Sequence, residues 1–288
     1  MNLTKLLRIR TRFGGYSAVL FTVGICLTLF FISIVLIAPL LQSWGILLDP
    51  TDLLNNQVSQ APDPKHLFGT NIRGYDVFSR TLFGTSAALQ VVLGSTCFSI
   101  LLGVPLGLLS GYLGGRVDRF LLFIMDTLYT LPGLLLSVTL VFILGKGIVN
   151  VAIAVSIAYI PQYFRVVRNQ TVSLKTELFV EAARAMGAST FHILTRYLFF
   201  NVIQSIPVLF TLNAADAVLV LGGLGFLGLG LPEEIPEWGH DLKEALPDLS
   251  VGIWWTTLFP GMALTFLVTG FSLLGESLSE LLNLPNRD

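Results

Sequence analysis

YSAVLFTVGICLTLFFISIVLIAPLL, residues 16–41, runs its whole length without one charged side chain. A bilayer core about 30 Å thick is crossed by about 20 apolar residues in a helix rising about 1.5 Å each. Lys5, Arg8, Arg10 and Arg12 precede the run, the order found in a secretory signal. It is too long for a signal's apolar core and no small-residue cleavage site follows, so it reads as a retained first span. Five more such runs follow, at about 86–113, 120–144, 148–167, 198–222 and 253–277. Pro161 and Gln162 interrupt the fourth, which a membrane helix tolerates when neighbours satisfy the freed carbonyl. The expectation is all-α: a polytopic membrane helical bundle of about six transmembrane helices, forming one domain over residues 1–288.

Composition points the same way. Charged residues make up 12% of the chain, about half the share of about 25% in a soluble domain, and mean hydropathy is +0.77. A net charge of −1 gives no electrostatic case for nucleic acid. Cys26 and Cys97 lie in apolar runs and His66, His192 and His240 stand singly, so no metal site follows. No GxxxxGK[ST] phosphate loop is present. The glycine-rich run 222–230 has no lysine after it and reads as helix packing.

An even number of spans puts both termini on one side. Twelve lysines and arginines fall on that side and five on the other. The excess of positive charge on cytoplasmic loops therefore makes both termini cytoplasmic. The opposite loops carry Asp49, Asp52, Asp63, Asp76, Glu233, Glu234, Glu237, Asp241, Glu244 and Asp248.

The inner loop before the fifth span reads TELFVEAARAMGASTFHILTRYLFFN, residues 176–201. Residues 181–186 favour helix, Gly187 offers a stop, and Ser189 or Thr190 can cap a second helix through Ile193 and Leu194. Two readings fit. The loop is an amphipathic helix lying on the membrane or on its own bundle, or it is a rigid protrusion that inserts into a groove of a cytoplasmic partner. In the second, Ala182, Ala183 and Gly187 allow close approach while Glu181 and Arg184 make polar contacts at the rim. Periodicity does not separate them.

Two carboxylates fall inside spans, and such a group by default faces a cavity or a partner. Asp126 is expected to be structural, near the cytoplasmic end and within reach of Arg119 or Arg165. Asp216, flanked by Asn213 and two alanines, either lines a translocation path, where it can meet a cationic group such as a peptide amine, or bonds a neighbouring helix. Outside the spans, Asp76, Glu233, Glu237 and Trp238 form either a docking surface for a periplasmic protein or a solvated charged face. Trp238, Trp254 and Trp255 suggest an interfacial aromatic belt.

EAARAMGAS, residues 181–189, resembles the signature loop of permease subunits of binding-protein-dependent ABC importers: Glu-Ala-Ala, three residues, Gly, then an isoleucine. Here these are Glu181, Ala182, Ala183, Gly187 and Ile193. The family's closing Leu-Pro-Asn is Phe199-Phe200-Asn201, without the proline. HLFGTNIRGYDVFSR (66–80), with Tyr75 where the family has arginine, is similar to the dipeptide/oligopeptide/nickel group. So are Gly114, Asp118, Arg119, Asp126 and Leu131-Pro132, then FLGLGLPEEIPEWG (226–239), Pro260-Gly261 and Leu274-Gly275-Glu276. The match covers about residues 64–282 and points to the second permease of the pair, although the acid expected before the Phe-Leu-Gly-Leu-Gly loop is Leu221.

The resemblance implies a type I ABC importer permease fold in the bacterial inner membrane, carrying peptides or similar small solutes. It implies that the loop 176–196 couples to ATPases through Glu181, Ala182, Ala183, Arg184, Gly187 and Ile193. The implied partners are a second homologous permease, two ATP-binding subunits holding ATP and Mg, and a periplasmic solute-binding protein, with no cofactor in this chain. A secondary transporter or channel would show inverted repeats with paired broken helices, which are not visible. An intramembrane enzyme would need a constellation of groups, and Asp126 and Asp216 lie far apart in sequence.

Overall fold

The computed structural model describes residues 15–52 and 56–283, so Lys5, Arg8, Arg10, Arg12 and Arg287 of the charge count lie outside the described residues. The elements are α1 (Gly15–Ser43), α2 (Val77–Leu113), α3 (Gly115–Tyr129), α4 (Gly133–Leu144), α5 (Ile148–Leu174), α6 (Leu178–Ala185), α7 (Thr190–Phe226), α8 (Trp238–Glu244), α9 (Leu246–Ser250) and α10 (Trp255–Asn283). No strand occurs among the described residues, only an isolated bridge between Thr70 and Asp76.

Five helices (α1, α2, α5, α7 and α10) are long and apolar enough to cross a membrane; α3 and α4, meeting at 91°, make a sixth crossing if taken as one bent span. This corrects the continuous third span expected over 120–144. Pro132 stands just before α4 with ψ of 132°. It lacks an N–H and drives Leu131 away from the helical region, so the helix cannot pass. The 12 residues of α4 reach only about 18 Å, too short to cross alone.

Span boundaries also move, most usefully at α2 and α5. α2 starts at Val77 rather than 86, because Asp76 accepts from the Ser79 N–H at 2.8 Å and caps it. Its first turns continue through Arg80, Thr81 and Thr85, all buried. α5 runs past 167 to Leu174, with Arg168 bonded to Asp118 at 2.6 Å and Pro161 buried inside the helix.

α2 and α5 pack through small residues spaced by four. Ser99 Oγ donates to the Ser156 carbonyl at 2.9 Å. A Cβ added at Gly103, Gly107 or Gly111 would fall 3.0, 2.7 or 2.7 Å from the carbonyl oxygens of Ile160, Phe164 and Arg168. Both series advance together by four, which is the signature of parallel helices in backbone contact. Val91, Val92, Val151, Val155 and Tyr159 continue this core. α10 lies between α7 and α1, and the outward faces of α1 and α4 expose Leu29, Phe30, Leu36, Phe142 and Ile143, a surface suited to lipid.

Candidate functional site

The bent loop stands at the end of the bundle where α2 finishes. α6 closes with Gly187 at φ +83°, the Gly187 N–H bonded to the Arg184 carbonyl and the Ala188 N–H to that of Ala183. This paired closure needs a left-handed residue, which glycine supplies at no steric cost. Ser189 accepts from the His192 N–H at 3.3 Å to start α7. α7 then enters the membrane without the family's proline, through a π turn at Ile193–Leu198 and a 3-10 turn at Ile203–Ser205.

Of the six residues singled out here, Glu181, Ala182, Arg184 and Gly187 are exposed. Arg184 lies 5.0 Å over the Tyr112 ring and donates to its hydroxyl. Ala183 and Ile193 are buried in the main core, so they anchor the loop instead of offering contact surface. Leu178, Met186 and Phe191 are the outward apolar groups, 81%, 77% and 76% exposed. The sequence signal for part of this face is the four-residue step 178, 182 and 186, which puts Leu178 and Met186 on one side of the helix.

Within the membrane, Asp126 pairs with Arg165 at 2.6 Å, and Arg165 also covers the Tyr129 ring at 4.2 Å. Asp216 is exposed on α7 and accepts from the Tyr159 hydroxyl of α5 at 2.8 Å. Asn213 is buried beside Tyr163. The Asn213 amide faces the Tyr163 hydroxyl, and neither the Asn213 Nδ2 nor the Tyr163 Oη reaches another partner.

At the other end, three of the four docking candidates belong to the interior, and this corrects their expected exposure. Asp76 is buried, capping α2 and meeting His66 Nδ1 at 3.0 Å. Glu237 accepts from the Gly239 and His240 N–H groups at 2.8 and 2.9 Å, capping α8; its burial pushes the carboxyl up to about 7. Trp238 is buried against Gly84, donating to the Thr81 carbonyl at 2.9 Å. Glu233 remains on the surface, held by Arg73 at 2.7 Å. Trp255 is also buried, donating to the Thr70 carbonyl at 3.1 Å, which leaves Trp254 as the exposed member of the expected belt. Arg80, buried under the Tyr75 ring, pairs with Asp241 at 2.8 Å; burial raises the Asp241 carboxyl while Arg80 opposes it.

A helical bundle with apolar outer faces and a rigid loop projecting from one end is the build of a transport permease. The profile of the family described as binding-protein-dependent transport system inner membrane component matches residues 103–284, and the chain belongs to that family. It is 36% identical over 244 residues to the glutathione transport system permease protein GsiD of Pectobacterium atrosepticum, covering 83% of this chain and 81% of that one. It is 35% identical over 262 residues to the dipeptide transport system permease protein DppC of Alkalihalophilus pseudofirmus, covering 91% and 84%. The fold is similar to a chain of the MetNI methionine ABC transporter solved in inward facing conformations, with TM-score 0.56 at 19% identity over 71% of this chain and 96% of that one. The chain is thus a permease subunit of an ABC importer, a membrane component and not an enzyme.

Proposed function

We propose that this chain forms half of the translocation path of an importer for peptides or similar small solutes. It pairs with a second homologous permease, receives cargo from a periplasmic solute-binding protein, and is driven through the loop 176–196 by two cytoplasmic subunits that hold ATP and Mg. The observation that carries this reading is the loop's outer face. Leu178, Met186 and Phe191 stand exposed around Glu181 and Gly187, on a loop locked by its glycine closure and by buried Ala183. A rigid apolar knob of this kind suits a cleft in a partner, since large apolar groups on solvated loops mark interaction sites. The distribution of basic residues supports a cytoplasmic position for it. Relatives named for glutathione and dipeptide transport support a small peptide as cargo.

The test is co-purification of the assembled importer carrying Glu181→Lys together with Gly187→Val. Retention of the ATPase subunits should fall about tenfold or more, as expected for lost interface anchors, while the second permease stays bound. A doubly altered importer that keeps its ATPases at the normal ratio would overturn the coupling assignment.

A further inference from the structure

We infer that Asp216, held by Tyr159, is an intramembrane acceptor for a cationic group, a primary ammonium, on the solute being moved; the inference rests on the importer reading above. Asp216 lies ten residues before the end of α7 at Phe226 and Tyr159 eleven residues after the start of α5 at Ile148. Those steps place both about 15 Å along their helices, near the middle of a bilayer core about 30 Å thick. A carboxylate turned to lipid at that depth is strongly disfavoured. Yet Asp216 is exposed, between Leu212 and Leu219, which are 45% and 48% exposed on the same helix face. That face is therefore not a lipid face.

The described residues supply no counter-charge. Asp216 makes no ion pair among the described residues, and its hydrogen bond is the one donated by the Tyr159 hydroxyl to Oδ2 at 2.8 Å. The arrangement is a carboxylate oriented by its neighbour and open on its outer side.

Two further polar atoms extend the feature one turn toward the loop end. Asn213 precedes Asp216 by three residues and is 4% exposed; Tyr163 follows Tyr159 by four and is 0% exposed. The Asn213 amide faces the Tyr163 hydroxyl, and neither of these two atoms reaches another partner, so the pair forms a small polar patch within the apolar packing. A carboxylate with an amide and a hydroxyl beside it, set in an apolar wall, matches a solute that carries an ammonium and amide groups. Bonding between helices explains the Tyr159 contact but not why the acid stands exposed on its outer side.

The test uses the assembled importer with Cys26 and Cys97 replaced by serine and Leu212→Cys introduced, Leu219→Cys serving as a second reporter. Each is treated with a quaternary-ammonium and a sulfonate methanethiosulfonate of similar size. The thiol should react, and the cationic-to-anionic rate ratio should fall about tenfold when Asp216→Asn is added, the size expected for one unit charge nearby, while Asp216→Glu preserves it. In the same complexes Asp216→Asn should lower uptake of dialanine while ATP hydrolysis and the bound second permease persist. Reporters that react with neither reagent, a ratio indifferent to Asp216→Asn, or loss of the second permease on that change would overturn the inference and make Asp216 an interface residue. If the unaltered importer takes up no dialanine but the ratio behaves as stated, the peptide cargo falls and the cation acceptor stands.

Discussion

Both carboxylate oxygens of Glu237 accept from backbone N–H groups at the start of α8, and a side chain at Gly225 would collide with one of them. Its neighbours are Asp241 one turn on, His240, and Arg80 across from Asp241. Burial is the largest influence and lifts its pKa from 4.5 to about 7, so between those values the folded chain keeps a proton that the unfolded chain has lost. Stability contributed by this group therefore falls as pH rises through that window and is level on either side. Glu237→Gln cannot titrate, and its amide offers one acceptor to two N–H groups, a loss of about 1–3 kcal/mol. The melting temperature of the detergent-solubilised variant should lie below that of the unaltered protein at pH 5, and the gap should narrow by pH 7.5. A gap that stays constant across this range would show that Glu237 does not hold the proton.

At the scale of elements, the α2–α5 contact decides how closely two crossings approach. Gly107→Ala puts a methyl 2.7 Å from the Phe164 carbonyl oxygen, backbone that cannot swing aside, and should destabilise by about 1–3 kcal/mol. Gly133→Ala meets nothing nearer than the Ala158 methyl at 3.8 Å and should leave the melting temperature level or raised, as an alanine in a helix is favoured by up to about 1 kcal/mol. Equal melting temperatures for both variants would refute the close-packed stripe. The crossings were legible because lipid demands a minimum apolar length whatever the fold. The stripe itself, Ser99, Gly103, Gly107 and Gly111, was readable in the sequence at its four-residue spacing, though its partner helix was not. What could not be read depends on remote partners. Arg80 extends α2 by pairing with Asp241, 161 residues on, and Trp238 goes inside because its indole N–H reaches Thr81, 157 residues back. Local pattern marks such residues only as charged or aromatic. Gly187 was legible for the opposite reason, since its left-handed closure is completed within six residues.

The whole molecule has two chemically unlike ends, and that asymmetry carries the orientation. Around α6 stand Arg116, Arg119, Arg165, Arg168, Lys175, Arg184 and Arg196; around α8 stand Lys65, Arg73, Arg80, Lys146 and Lys243, with Arg73 and Arg80 tied to Glu233, Glu244 and Asp241. Positive charge near short loops is held on the cytoplasmic side, so the α6 end should face the cytoplasm and the α8 end the opposite side. Met186 and Val251, 77% and 71% exposed, are placed to report on each end. In a background with Cys26 and Cys97 replaced by serine, Val251→Cys should react with a membrane-impermeant maleimide in intact spheroplasts. Met186→Cys should react only after permeabilisation, and more strongly once the ATPase subunits are stripped away, because the same side chain belongs to the knob proposed to seat in them. The reverse pattern would put the loop where no ATP-driven subunit can reach it, and the coupling assignment would fall with the orientation.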